Sequence, residues 1–169
     1  MRDINEEIHL EAYNPEWPVW FDKEQAVIKK RTGDYPDCTY IEHIGSTSVS
    51  GMIAKPIIDI LIGTIVFPPD DLFIASIIKL GYEYMKTGST PERLYFIRRD
   101  KVSYNIQVVK YGSEIWRKDI LFRDYLRVHP EIAKDYSALK EEIYRSGTRT
   151  LLKYSSRKAG FISAMIENF

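Results

Sequence analysis

Two groups of residues in the middle of the chain have the types and spacing for chemistry. Gly45-Ser46-Thr47-Ser48 interrupts an apolar run (Tyr40, Ile41, Ile44), and a second run, Pro56-Ile57-Ile58-Asp59-Ile60-Leu61-Ile62, carries one carboxylate in its interior. A glycine-serine turn can aim backbone N–H groups at a phosphate, and the hydroxyls of Ser46, Thr47 and Ser48 add donors. A helical segment after the turn would point its positive end at the same place. Asp59 is costly to bury unless it is paired, metal-bound or at the rim of a cleft. Lys55, just ahead of Pro56, supplies a cation. A phosphate-binding turn facing a carboxylate that can hold Mg²⁺ makes a nucleotide site. A structural turn with an acid at a strand edge is the other reading of the same residues.

The elements that must position these groups follow from periodicity. Residues 8–13 alternate as a short extended segment, and Asn14-Pro15 caps and starts a helix to about Arg31, with Trp17, Trp20, Phe21 and Ile28 on its inner side. The strand before the turn and the strand holding Asp59 follow. Asp70 or Asp71 caps a helix ended by Gly81. Residues 82–85 read as a strand and 87–91 as a turn, and 93–99 pairs with 102–109 as a hairpin across Arg99-Asp100-Lys101. From Ser113 onward the strand pattern stops. Helices are predicted over 114–127, 130–146 and 155–167, the last capped by Ser155. This is an α+β pattern, a mixed sheet followed by a helical half packed on it, within a single domain spanning 1–169.

Composition narrows the function classes. Lys+Arg and Asp+Glu each number 24 in 169 residues, so no bulk field recruits nucleic acid or an acidic membrane. Cys38 is the one cysteine, which excludes an internal disulfide framework and a multi-cysteine metal site and predicts an ordinary unreactive thiol. The opening MRDINEEIHLEAYNP has no apolar signal core, and no run approaches the roughly 18–20 apolar residues of a membrane span. A cytoplasmic protein without a membrane partner is expected.

The string EHIGSTSVSGMIAKPIIDILIG resembles the signature of the GrpB family, whose usual form reads HIGSTSVPGLAAKPIIDI. The likeness continues at YNPEWPVWFDKE, RLYFIRR, VVKYGSEIWRKDILFRDYLRVHPEIAKDYSALK and KYSSRKAGFI, nearly the whole chain. That family is regarded as a branch of the polymerase-beta-like nucleotidyltransferases. The resemblance implies a nucleotidyltransferase-like mixed β-sheet with flanking helices and Mg²⁺-dependent transfer of a nucleotidyl group from an NTP to an unspecified acceptor. Gly45 and Ser46 match the superfamily turn and Asp59 its first strand acid. A second acid two residues on is Leu61 here, and the later strand, often HLHV in the family, reads Tyr104-Asn105-Ile106-Gln107-Val108. Ser50 stands for a proline, and Ser156 for a glutamate two residues before Lys158.

With Asp59 as the catalytic and metal-binding acid, Glu42, His43 and Gln107 are the remaining candidate metal ligands. Gly45, Ser46, Thr47, Ser48, Lys55 and Arg93 are the candidate phosphate contacts. Arg98 and Arg99 share the hairpin with Arg93 and could face a triphosphate with it; an ordinary edge-strand charge is the equal alternative for Arg93. Arg123, Asp124 and Arg127 make an Arg–Asp pairing on one helix or a substrate contact. Because a two-metal centre needs several carboxylates, a domain that binds a nucleotide or other phosphorylated small molecule without turnover is the alternative function.

Overall fold

The structure, a computed structural model, describes residues 5–33 and 40–166. Cys38 and the end of the last predicted helix lie outside them. A sheet of five strands runs in the order β1-β2-β5-β4-β3: β1 (Tyr40–Ile44), β2 (Ile57–Thr64), β3 (Glu83–Tyr84), β4 (Arg93–Arg99) and β5 (Ser103–Lys110). β2 and β5 pair in parallel at the centre and the other neighbours are antiparallel, so the sheet is mixed. Among the described residues five α-helices complete the α+β architecture: α1 (Glu16–Arg31), α2 (Asp71–Lys79), α3 (Glu114–Val128), α4 (Pro130–Arg145) and α5 (Leu151–Ile166). None of the described helices is long and apolar enough to cross a membrane.

The strands' period of two separates two faces. Ile58, Ile60 and Ile62 of β2, with Tyr104, Ile106 and Val108 of β5, pack beneath Trp17, Phe21 and Ile28 of α1 and Phe73 and Ile77 of α2. This is the main core, and Trp17 is fully buried in it. The opposite face carries Ile44, Leu61 and Val109 under Trp116 of α3. Trp116 lies so close over Gly63 that a Cβ there would meet its ring at 2.8 Å. Further along the same face the residues turn polar, and α4 and α5 close over them.

Local chemistry explains where the boundaries fall. Asp70 caps α2, its Oδ1 accepting from the Phe73 N–H at 2.8 Å, and Ser113 caps α3. Asn14 Oδ1 accepts from the Glu16 N–H at 2.9 Å, so α1 begins just after Pro15. Two expectations change. Residues 8–13 form no strand: the bridges here are single, at Glu7 to Thr150 and Glu11 to Ala54, while Ile8 and Leu10 pack against α4 and α5 and Tyr13 against Trp17 of α1. The last helix starts at Leu151 rather than Ser155, since Leu151 and Tyr154 are both buried against Ile143 of α4. Ser155 is therefore inside the helix.

Candidate functional site

The polar stretch of the second sheet face opens into a cavity of about 430 Å³. Its floor is Asp59 on β2, Asn105 and Gln107 on β5 and Arg93 and Tyr95 on β4; its sides are the Gly45–Thr47 turn and Lys55; its roof is Asp119 and Phe122 of α3, Tyr136 and Lys140 of α4 and Tyr154 and Lys158 of α5. Register brings the floor together: Asp59 is opposite Asn105 and Leu61 opposite Gln107, while Gln107 is in turn opposite Tyr95. These side chains share one face.

Asp59 is held in orientation by a chain of polar groups. Its Oδ1 accepts from Asn105 Nδ2 at 2.7 Å, Asn105 Oδ1 accepts from Arg99 Nη2 at 2.8 Å, and Arg99 grips Glu6 through Nη2 at 2.6 Å and Nε at 3.0 Å. The other side of Asp59 meets the turn. Gly45 has φ 71° and ψ −176°, and a Cβ on it would lie 2.7 Å from Asp59 Oδ2. Only glycine holds that backbone without strain and lets the carboxylate come so near.

The turn itself departs from expectation. Ser46–Ser48 is three residues of 3₁₀ helix, too short to supply the dipole of a full helix. The Ser46 hydroxyl faces the cavity and accepts from Lys140 Nζ at 2.9 Å. The Thr47 hydroxyl shares a 2.9 Å hydrogen bond with His43 Nε2, and the Ser48 hydroxyl donates to the Gly45 carbonyl at 2.6 Å. Both are occupied within the turn.

The remaining candidates divide cleanly. Glu42 shares Asp59's face but lies opposite Leu61, and its carboxylate meets Arg123 Nη1 at 2.6 Å. His43 is on the other face, stacked on Phe21 at 4.7 Å; burial first, then the charges of Arg127 and Arg123, drive its pKa down to about 3, so it is neutral. Arg123 also bonds the His43 carbonyl and Asp124, and Arg127 donates to the Ser48 carbonyl, so this pair ties α3 to β1 and the turn. Arg98 pairs with Glu24 in the other layer. Of the three hairpin arginines only Arg93 lines the cavity, bonding Gln107 Oε1 at 2.9 Å.

Three lysines dominate the electrostatics. Lys140 is 1% exposed, bonds Ser46 and the Ile53 carbonyl, and lies 4.8 Å from the Tyr136 ring centre. Burial, then repulsion from Lys158 and Lys55, lowers its pKa to about 6. Lys158 sits 4.6 Å from the Tyr154 ring centre, and burial and Lys55 lower it to about 7, with Asp59 opposing. Lys55 is lowered as well, chiefly by burial. Asp119 moves the other way, up to about 6, through burial and the charge of Asp59, with Arg93 opposing. Four cationic side chains thus face two carboxylates.

With this arrangement in view, the family match has structural content. The sequence matches the GrpB protein family over residues 7–168. The chain belongs to the GrpB family. It is similar to the crystal structure of the conserved protein GrpB from Enterococcus faecalis, with 30% identity, a TM-score of 0.84, and 95% of this chain and 96% of that one covered. It is 33% identical to UPF0157 protein YqkA of Bacillus subtilis over 95% of its own length, but spans only 47% of that relative. Against the glutamate-rich protein GrpB of Alkalihalophilus pseudofirmus it is 27% identical and covers 94% of the relative.

The donors this GrpB chain sets around Asp59 do not by themselves make a Mg²⁺ site. Asp59 Oδ1 already accepts from Asn105, Gln107 Oε1 from Arg93, and Glu42 from Arg123. No cluster of three or more His, Cys, Asp or Glu side chains suited to a metal occurs among the described residues. Lys55, Lys140 and Lys158 occupy the surroundings where a divalent ion needs oxygen ligands.

Lys140, Asp119 and Tyr136 escaped the sequence reading, although a signal for them existed. Lys140 follows Tyr136 by four residues and Asp119 follows Trp116 by three, so each charge stands on the apolar stripe of its helix. A charge on a buried face is expensive and marks a site.

Proposed function

We propose that this chain binds a nucleotide or another phosphorylated small molecule in the cavity between the Gly45-Ser46 turn, β2 and the α4–α5 roof. One observation carries the reading: Lys55, Arg93, Lys140 and Lys158 line a single cavity against only Asp59 and Asp119. Desolvation with too little counter-charge lowers the pKa of an ammonium group, as at buried Lys140 and half-buried Lys158. A phosphate supplies the missing charge and up to three strong acceptors. The reading needs no resident metal.

Calorimetric titration and thermal shift with tripolyphosphate and each nucleoside triphosphate, in EDTA and in Mg²⁺, test it. Stabilisation in EDTA is expected; a ligand at about a hundred times its Kd adds about 2.7 kcal/mol. Absence of any shift with every phosphate compound, with and without Mg²⁺, overturns it. Among the described residues the Lys158 ammonium makes no hydrogen bond or ion pair and lies against the Tyr136 and Tyr154 rings, so Lys158→Met should weaken tripolyphosphate about tenfold or more with little change in unfolding free energy. Wild-type affinity in that variant counts against the cavity.

The titration should also move protons. At about pH 7.5 a lysine whose pKa lies near 6 or 7 is largely neutral. Bound phosphate raises those pKa values, so binding takes up protons and weakens as pH rises above 7. Calorimetry in two buffers of different ionisation enthalpy measures the uptake, and zero or negative uptake contradicts the assignment.

Nucleotidyl transfer at the same cavity is the second reading, favoured by the Glu6–Arg99–Asn105 chain that orients Asp59. A carboxylate held this way suits a general base toward an acceptor hydroxyl. Turnover of labelled NTP against a metabolite or RNA pool, lost in Asp59→Ala, supports it; equal turnover in the variant removes it.

A further inference from the structure

Among the described residues, six buried side-chain polar atoms lack a hydrogen-bond partner in the protein, and three belong to residues lining this one cavity: Arg93 Nε, Asp119 Oδ2 and Tyr154 Oη. Buried polar atoms are almost always paired, so three orphans on residues that line one cavity demand an explanation. Tyr154 is 1% exposed, and its hydroxyl has no neighbour to serve it. The three sit on different elements, β4, α3 and α5, so no local backbone accident creates them.

Their chemistry is complementary to a particular kind of group. Arg93 Nε can only donate, an ionised Asp119 oxygen can only accept, and Tyr154 Oη can do either. A fully ionised phosphate only accepts, so it can satisfy Arg93 and the lysines and leaves Asp119 unserved. An ammonium group serves Asp119 but not Arg93. A hydroxyl does both, and two neighbouring hydroxyls can donate to Asp119 and accept from Arg93 together. Arg93 on β4 and Asp119 on α3 line the same cavity, a donor on its floor and an acceptor on its roof. With its pKa near 6, Asp119 is mainly an acceptor at neutral pH.

We infer that the ligand is the phosphate ester of a polyol, its phosphate among Ser46, Lys55, Lys140 and Lys158 and its hydroxyls on Asp119, Arg93 and Tyr154. The inference rests on the phosphate-binding reading and adds the hydroxyl-bearing half of the ligand. A ribonucleotide and a free sugar phosphate both fit this chemistry.

Calorimetric titration with ATP, 2′,3′-dideoxy-ATP, ribose 5-phosphate, inorganic phosphate and tripolyphosphate separates the cases. A hydrogen bond to a charged group corresponds to about tenfold or more in affinity. ATP binding at least tenfold tighter than its dideoxy analogue identifies a nucleotide. Ribose 5-phosphate exceeding inorganic phosphate by that factor identifies a sugar phosphate. Either gap should shrink to within about threefold in Asp119→Leu. Absence of both gaps in the wild type, or a gap that survives intact in Asp119→Leu, overturns the inference while tripolyphosphate binding leaves the phosphate site standing. If no phosphate compound binds, the underlying reading fails and this one with it. The wild-type comparison stands even if the variant does not fold.

Discussion

Gly45→Ala should lower the unfolding free energy by about 1–3 kcal/mol and abolish phosphate-ligand binding within the accessible concentration range. The backbone at Gly45, with φ 71° and ψ −176°, lies in a region that an L-residue enters only with strain. Nor is there room: the added Cβ would stand 2.7 Å from Asp59 Oδ2 and 3.3 Å from Asp59 Cβ, so it meets the root of the side chain as well as its carboxylate. Either the turn swings away, carrying Ser46 from Lys140 Nζ, or Asp59 rotates and breaks its 2.7 Å bond from Asn105. Both outcomes disassemble the cavity wall. Urea unfolding measures the first effect and titration with tripolyphosphate the second. An alanine variant with wild-type affinity removes the turn from the site.

Glu24→Ala should be more costly still, about 3–5 kcal/mol, without touching the cavity. Glu24 is 6% exposed on α1 and takes three hydrogen bonds: from Tyr82 Oη at 2.9 Å and from Arg98 Nη1 and Nη2 at 2.9 and 2.6 Å. Arg98 also lies between the rings of Tyr82 and Tyr104, at 4.7 and 4.8 Å, and bonds the Leu80 carbonyl at 3.1 Å. Removing the carboxylate leaves a guanidinium packed between aromatic rings, with the half-distant Asp100 at 3.6 Å as its remaining acid. The stranded charge, more than the lost attraction, sets the cost. A double variant, Glu24→Met with Arg98→Met, should recover most of the loss because both charges leave together. Denaturant unfolding of the three chains decides it, and a single-variant loss below about 1 kcal/mol refutes this view of the network.

These two positions differ in how legible they were. Gly45 was plain in the sequence: a glycine-serine turn between two apolar runs is a local pattern, and the GrpB signature surrounds it. No local pattern marks Glu24, since its partner Arg98 is 74 residues away and packing α1 across the sheet joins them. The same division applies to the arginines. Arg93, Arg98 and Arg99 are near-equivalent in sequence, yet they end in the cavity, in the α1–sheet layer and against Glu6. Alternation told which residues share a face, but not what covers that face.

The sequence by itself determined the strands of the sheet, though not the segment at 8–13, and also the hairpin, the turn and the family, because each depends on short-range periodicity, on glycine's backbone freedom or on a contiguous string. It also identified Asp59 as an acid needing a reason to be buried. Only the tertiary structure decided the neighbours of that acid. Register set Asn105 beside it and Gln107 opposite Leu61, Arg123 drew Glu42 away, and α1 claimed His43. Helices α4 and α5 then lowered Lys140 and Lys158 over the cavity, from 81 and 99 residues beyond Asp59 in the chain. Charge balance in a cavity is a sum over side chains brought from distant segments, and no local pattern carries that sum.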